Sequence, residues 1–176
     1  MRYKIFTDGS SRGNPGPGGW GLIILNEQED KVIFTECDRE NPTTNNRMEL
    51  TAILCALQYA ESHPDDTFII YSDSAYAVNS CNVWMRGWAA NGWKNSKKQI
   101  VENLDLVQAI YNLLSRDFFN AEVRKCDGHS GIVGNELADA LATGHGYYAL
   151  LEHYGIEPEE PVELKWTINE DYNSRG

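Results

Sequence analysis

The chain has 176 residues, of which 41% are hydrophobic and 23% are charged, a composition typical of one soluble globular domain. It contains no apolar run of the roughly 18–20 residues that span a bilayer. Its N-terminus, MRYKIFTDGS, lacks the apolar centre of a signal peptide, so we expect a cytoplasmic protein without membrane association. The four cysteines contain no CxxC pair, which argues against a zinc site and favours reduced thiols.

The charge of the chain is unevenly distributed. Its 26 acidic and 15 basic residues give a formal net charge of −11, which by itself argues against binding to a phosphate backbone. However, residues 84–101 contain four bases and no acid, whereas residues 144–176 contain seven acids and two bases. The composition therefore leaves room for a local basic binding surface.

Three strands are predicted at the start of the chain. Residues 3–8 and 19–25 have strand-like sequences, and the intervening GNPGPGG favours a tight turn region. The polar stretch NEQED then separates GLIIL from KVIFTEC, which predicts a second hairpin. Together these patterns predict an antiparallel meander.

Helices and strands alternate in the rest of the chain. Leu50, Ile53, Leu54 and Leu57 have the spacing of an amphipathic helix that ends before Pro64. TFIIYSD is typical of a buried central strand, and a strand–helix–strand step implies a parallel pair. The remaining predictions are helical stretches around 74–88 and 100–115, a strand at about 118–125 and a helix at about 134–143. This order predicts an α/β fold with a mixed sheet flanked by helices.

Three carboxylates are candidates for a metal site. Asp8 ends the first predicted strand, Asp73 ends the fourth, and Glu49 falls in the first turn of the amphipathic helix. Neighbouring parallel strands would bring both aspartates to one edge of the sheet, where such oxygen ligands suit Mg²⁺ or Mn²⁺. The alternatives are a turn at Asp8, a helix cap at Asp73 and a helix-dipole role for Glu49.

Other candidates are ambiguous from the residue pattern. Asp139 lies nearly opposite the leucines of its helix, which predicts a solvated side chain. His129, in DGHSG, lies in a glycine-flanked loop, where a lone histidine is more often exposed than catalytic. Trp84 and Trp88 lie one helical turn apart, a spacing that suits either core packing or a binding surface.

The chain resembles type 1 ribonuclease H over about residues 1–143. The motifs FTDGSSRGNPGPGGWG, TTNNRMELTAILCAL, YSDSAYAVN, GWKNSKKQIVENLDL and GHSGIVGNELADALA occur in that family's order and spacing. The resemblance implies a ribonuclease H-like fold with a five-stranded mixed sheet, three antiparallel strands followed by parallel strands, and helices on both faces. It also implies a catalytic domain over 1–143 and leaves 144–176 as an acidic extension, either a surface addition packed on the domain or a partner-binding tail.

The activity that the resemblance implies is hydrolysis of the RNA strand of RNA–DNA hybrids. Such an endonuclease uses two Mg²⁺ ions, with Mn²⁺ as an alternative, and leaves 5′-phosphate and 3′-hydroxyl ends. The resemblance places Asp139 with Asp8, Glu49 and Asp73 in a metal-binding quartet, against the helical pattern. It gives His129 a role in water activation or product release. We expect a monomer that needs no obligate protein partner.

The resemblance further implies contacts with the hybrid. A loop and the start of a helix would meet the RNA and its partner strand; their residues are Ser11, Gly13, Asn14, Asn45 and Asn46. A pocket formed by Thr44 and Asn103 would hold a DNA phosphate. A protrusion would bind the DNA strand through Trp84, Arg86, Trp88, Lys94, Lys97 and Lys98.

Several positions depart from the family pattern and predict weaker hybrid binding at high salt. They are Pro42, Ala75, Ala89, Ala90, Asn91 and Asp127, and none is a predicted metal ligand. Two other functions stay open from the sequence: a binding module without catalysis, and a related nuclease or integrase on the same fold. The four acids argue against the first, and the TTNNRMEL motif with the tryptophan protrusion argues against the second.

Overall fold

The computed structural model describes residues 1–128 and 131–158. Its strands are β1 (Arg2–Ser11), β2 (Gly16–Asn26), β3 (Lys31–Thr43), β4 (Thr67–Ser72), β5 (Ala121–Lys125) and β6 (Glu157–Pro158). Its α-helices are α1 (Asn45–Glu61), α2 (Ala75–Asn79), α3 (Met85–Ala90), α4 (Leu104–Leu114), α5 (Val133–Thr143) and α6 (Tyr147–Tyr154). A π-helical turn, Ser80–Trp84, joins α2 to α3.

These strands form one mixed sheet in the order β5-β4-β1-β2-β3-β6. β1, β2 and β3 are antiparallel neighbours, as the meander predicts. β4 pairs in parallel with β1 on one side and with β5 on the other. The predicted fold class is confirmed, and the parallel pairing aligns the carboxyl ends of β1 and β4.

The predicted count of five strands is wrong by one in the described residues. Glu157 and Pro158 pair in parallel with Lys31 and Val32 of β3 and add a short sixth strand at the edge. The chain reaches this edge because Gly155 adopts a left-handed conformation after α6, with φ of 67°, and because Ile156 is buried. A two-residue strand has no periodicity by which a sequence pattern could predict it.

Some predicted boundaries differ from the structure. The helical stretch at 74–88 contains a π-helical turn between two short α-helices, and such turns insert a wider i→i+5 hydrogen bond into a helix. The helix expected from residue 100 begins at Leu104, and the strand expected from 118 begins at Ala121. Asn103 and Phe118 have φ of 56°, so neither continues a regular helix or strand.

Two apolar layers cover the sheet on opposite faces, as the resemblance implies. On one face, α1 and α4 pack with side chains such as Ile5, Leu22 and Ile70. On the other face, α5 and α6 pack with Phe6 and Ile23 in a second cluster. The larger layer fixes α1, and the smaller layer fixes α5, so both helices are held rigidly against β1.

The extension after α5 is partly described. Tyr147 and Leu151 of α6 are buried in the same cluster as Leu137 and Leu141 of α5, and residues 159–176 lie outside the described residues. The division at residue 143 stays a prediction. Among the helices of the described ranges, none has the length and apolar character that a membrane crossing requires.

Candidate active site

Three carboxylates meet at the edge of the sheet. Asp8, Glu49 and Asp73 each offer a ligand oxygen, and these oxygens lie within 4.8 Å of one another. Asp8 is on β1 and Asp73 directly follows β4, where Thr7 pairs with Ser72. Glu49 reaches the same point from α1. The predicted juxtaposition of these acids is therefore present.

The local settings of the three acids differ from the simplest expectations. β1 does not end at Asp8, because Gly9, Ser10 and Ser11 continue to pair with β2, so Asp8 is not in a turn. The cap of α2 is Ser74, whose hydroxyl accepts a hydrogen bond from the Ala77 N–H. Asp73 is thus free of a capping role.

Glu49 approaches Asp8 because α1 crosses β1 at a glycine. It is the fifth residue of α1 and lies just beyond the first turn. The sequence analysis had placed it within that turn. A Cβ atom at Gly9 would lie 2.3 Å from the carbonyl carbon of Met48 and 2.4 Å from the Glu49 nitrogen. Only a glycine permits this backbone contact, which brings the second carboxylate to the first.

Burial gives the cluster its electrostatic character. Asp8 and Glu49 are 6% and 8% exposed. Burial, the charge of Glu49, hydrogen bonds with Asp139 and Glu49, and the charge of Asp73 raise the pKa of Asp8 well above its ordinary value. Burial also raises the pKa of Glu49, with contributions from the charges of Asp73 and Asp139.

The cluster fits a divalent cation. Glu49 Oε2 is buried and has no hydrogen-bond partner among the residues that the structure describes. A buried oxygen without a partner costs free energy, and a cation would satisfy it. The donor set consists of carboxylate oxygens, which suit hard ions such as Mg²⁺ and Mn²⁺ rather than soft ones.

Asp139 joins the cluster from α5. It contacts Asp8 through a hydrogen bond between the two carboxyl groups, and its charge raises the pKa of Glu49. Asp139 does not belong to the group of acids whose ligand oxygens all lie within 4.8 Å of one another. Asp139 is half-buried rather than fully solvated, because α5 crosses the sheet edge with its polar side toward Asp8.

Two residues that the sequence analysis did not single out touch Asp73. The side-chain amide of Asn135, on α5, donates to Asp73 Oδ2 at 3.3 Å. Gly128 packs so closely that a Cβ atom there would lie 2.7 Å from the same oxygen. His129, the next residue, lies outside the described residues, and its role stays a prediction.

A surface cavity lies between the starts of α1 and α4. Its volume is about 610 Å³, and it is lined by Asn14, Thr44, Asn45, Asn46, Glu102 and Asn103. Five of these six are predicted to contact nucleic acid, and Glu102 is an additional acid at the rim. The predicted RNA-facing and phosphate-facing residues are thus neighbours in the fold.

Hydrogen bonds organise the loop beside this cavity. The Ser11 N–H donates to Asn45 Oδ1 at 2.6 Å, and the Asn45 N–H donates to Asn14 Oδ1 at 3.0 Å. The Ser11 hydroxyl donates to the Gly13 carbonyl at 2.6 Å. The β1–β2 loop is therefore tied to the start of α1 near the carboxylates.

The tryptophans of the protrusion divide between core and surface. Trp84 is 38% exposed, and its ring centre lies 5.8 Å from that of Trp88, which packs against the core layer. Trp93 also packs on this layer and contacts Tyr111 edge-on. The basic side chains of the region are exposed: Arg86, Lys94, Lys97 and Lys98.

A mixed α/β sheet that carries a buried carboxylate cluster suited to divalent cations defines a class of metal-dependent enzyme. The family model RNase H matches residues 1–145. The chain belongs to the RNase H family, as its motifs indicate.

Relatives of known name agree with this assignment. The chain is 44% identical over 138 residues to Ribonuclease H of Polaromonas naphthalenivorans (strain CJ2), covering 78% of this chain and 83% of that protein. It is 41% identical over 142 residues to Ribonuclease H of Legionella pneumophila (strain Corby), covering 81% and 94%.

Solved structures share the fold. LC9-RNase H1, a type 1 RNase H with the type 2 active-site motif, has a TM-score of 0.70 and 26% identity, covering 94% of this chain and 90% of that one. The PFV RNase H domain has a TM-score of 0.69 and 25% identity, covering 85% and 97%.

Proposed function

We propose that this chain is an endoribonuclease that hydrolyses the RNA strand of RNA–DNA hybrids in a Mg²⁺-dependent reaction. The observation that carries the proposal is the group of Asp8, Glu49 and Asp73, with a buried oxygen of Glu49 that has no hydrogen-bond partner in the described part of the chain. Membership of the RNase H family supports the reaction and the substrate class.

The four acids have separable tasks in this proposal. Asp8, Glu49 and Asp73 would together hold divalent cations, and Asp139 would add its charge from α5. Bound divalent ions supply an activated water and balance the charge on the leaving 3′ oxygen. The four acids would fix where the cations meet the RNA backbone, and cleavage there would leave 5′-phosphate and 3′-hydroxyl ends. His129 would assist water activation or product release.

The cavity between α1 and α4 supports a matching interface. Its amide and hydroxyl groups suit contacts to sugar and phosphate without reading sequence, and 2′-hydroxyls would distinguish RNA from DNA. Asn14, Asn45 and Asn46 would face the RNA side of the minor groove, whereas Thr44 and Asn103 would meet a DNA phosphate. Exposed Trp84 and the four basic side chains of the protrusion would lie along the DNA strand.

A gel assay on a body-labelled RNA–DNA hybrid tests the proposal. The wild type is expected to cut the RNA only with Mg²⁺ or Mn²⁺, and to leave single-stranded RNA and duplex RNA intact. Asp8→Asn removes the carboxylate that ionises when a cation binds, and it should reduce cutting by about 10²–10³-fold, because charge stabilisation at the reacting phosphate is lost.

Asp65→Asn is the matched control. It changes the same chemical group on an exposed turn at the opposite end of β4, so it should cut at the wild-type rate. Hybrid binding without cutting by the wild type would contradict catalysis and identify a binding module. Equal cutting of duplex DNA would point instead to a related nuclease.

We also propose that the chain acts as a monomer, a hypothesis that sedimentation of the purified protein tests.

A further inference from the structure

One oxygen of Asp73 lies close to two groups outside the carboxylate cluster. Asn135 Nδ2 donates to Asp73 Oδ2 at 3.3 Å. The backbone of Gly128 packs against the same oxygen, since even a methyl group there would lie 2.7 Å from it. Asp73 Oδ2 therefore occupies a slot between Asn135 of α5 and Gly128, which follows β5.

The slot is anchored to the sheet. The Cys126 N–H donates to the Ser72 carbonyl at 2.9 Å, directly before Asp73. Asn135 Nδ2 also lies 3.9 Å from Cys126 Sγ, and Asn135 is only 3% exposed. The amide is thus fixed by burial and by both neighbours, so it cannot turn away from Asp73 at little cost.

The contacts of Asn135 differ from those of a purely structural asparagine. Asn120, for comparison, donates to the carbonyls of Ala60, His63 and Asp66 and joins three backbone segments. The hydrogen bonds of Asn135 in the described residues instead go to Asp73 and Cys126. Its side chain therefore acts at the carboxylate cluster.

An amide is chemically suited to this position. It donates a hydrogen bond to one carboxylate oxygen without adding a positive charge, so the cluster keeps the negative charge that a cation requires. A lysine or arginine would pair with Asp73 and compete with the cation. Groups that orient a ligand in this way commonly contribute 10–100-fold to metal affinity or activity.

We propose that Asn135 is a positioning residue that fixes the carboxylate of Asp73 for cation binding, with Gly128 as the second wall of the slot. By contacting Oδ2, the two residues restrict rotation of the Asp73 side chain, whose carboxylate lies with those of Asp8 and Glu49. This inference rests on the proposed function, because it assigns the orientation of one of the proposed ligands.

Calorimetric titration of the metal-free protein with Mn²⁺ and Mg²⁺ tests the proposal without substrate. Asn135→Ala is expected to weaken cation affinity by about 10–100-fold. In hybrid cleavage at fixed Mg²⁺ it should lower kcat while KM for the hybrid stays within about twofold, and added Mn²⁺ should recover part of kcat. Gly128→Ala should shift both measurements in the same direction by displacing Asp73.

Asn120→Ala is the matched control. It removes a partly buried amide with three hydrogen bonds, so it should lower the melting temperature but leave cation affinity of the folded protein unchanged. The proposal would be overturned if Asn135→Ala kept the cation affinity of the wild type, or if its cation affinity fell by no more than that of Asn120→Ala. If Asn135→Ala does not fold, an unchanged affinity in Gly128→Ala would overturn it instead.

The two hypotheses fail separately. A wild type that binds Mn²⁺ in an Asn135-dependent way but cuts no hybrid would contradict the proposed function and leave the positioning role intact. If the wild type cuts hybrid but Asn135→Ala shows unchanged cation affinity and an unchanged Mg²⁺ requirement, the positioning role is contradicted and the proposed function stands.

Discussion

Asp8 and Glu49 place two carboxyl groups in a buried space, where burial disfavours their ionised forms. Each has a pKa raised by burial and by neighbouring carboxylates. A carboxyl whose folded pKa exceeds its unfolded pKa stabilises the protein below the unfolded value, and this contribution is lost as pH rises through the folded value. For Glu49 that window runs from 4.5 to about 8.

The metal-free protein should therefore lose stability as pH rises across this window, and Glu49→Gln should reduce the loss. At pH 8 we expect the variant to melt about 2–8 °C above the wild type in EDTA, with little difference at pH 4.5. Thermal unfolding by circular dichroism at both pH values measures this. A melting temperature for Glu49→Gln below that of the wild type at pH 8 would contradict the argument.

The residues of the site were not equally predictable. Asp8 and Asp73 could be paired from sequence because a parallel strand pair brings two strand ends to one edge. Asp139 could not be assigned to the cluster from sequence, since it lies on the side of its helix opposite Leu137 and Leu141. Only the direction in which α5 crosses the sheet brings it to Asp8. Asn135 is a common polar residue in an amphipathic helix, so no pattern distinguishes it.

At the scale of elements, the starts of α1 and α4 are joined by an ion pair next to the cavity. Arg47 donates to both carboxylate oxygens of Asp105, at 3.0 and 2.7 Å, which is a geometrically specific pairing. Glu102 lines the cavity that this pair flanks. A carboxylate at that rim opposes the approach of a nucleic-acid phosphate.

Glu102→Lys should therefore strengthen hybrid binding. We expect KM to fall about 3–10-fold at low salt with kcat unchanged, because a rim charge alters encounter and affinity rather than chemistry. The logarithmic salt slope of hybrid affinity should steepen by about 0.9 if one phosphate contact is gained. Steady-state kinetics at several salt concentrations measure both.

Glu152→Lys makes the same charge change on the exposed side of α6 and serves as its control. It should leave KM nearly unchanged if the cavity rather than net charge sets binding. Equal effects of the two variants would show that the effect of Glu102→Lys comes from net charge alone.

Elements with long, regular patterns were predicted well. α1 follows its apolar spacing, and its cap is Thr44, whose hydroxyl accepts from the Arg47 N–H. The stretch 74–88 was predicted only as helical, because a π-helical turn changes hydrogen bonding without changing composition. The start of α4 depended on the left-handed backbone of Asn103, a conformation that asparagine adopts more readily than most residues but that no pattern here indicated.

For the whole molecule, the described part of the extension completes the second apolar layer. Tyr147, Leu151 and Ile156 are buried beside α5, and the Tyr154 hydroxyl donates to Glu136 of that helix. The sequence left two alternatives for the extension, a surface addition packed on the domain or a partner-binding tail, because it does not show which surface the apolar residues of the extension meet. Their counterpart is a surface shared by α5, β2 and β3, which exists only after the sheet has formed.

We propose that α6 and residues 1–143 unfold as one cooperative unit. Leu151 is 4% exposed, so Leu151→Ala should destabilise the protein by about 2–4 kcal/mol and lower a single melting transition by about 4–16 °C. Because α6 supports α5, the melting temperature should fall by the same amount in circular dichroism and in tryptophan fluorescence. The tryptophans lie in residues 1–143 and 159–176, outside α6. Glu152→Ala, exposed on the same helix, should change the melting temperature by less than about 2 °C. A separate early transition in Leu151→Ala, with the main transition unmoved, would show that α6 unfolds independently of the domain.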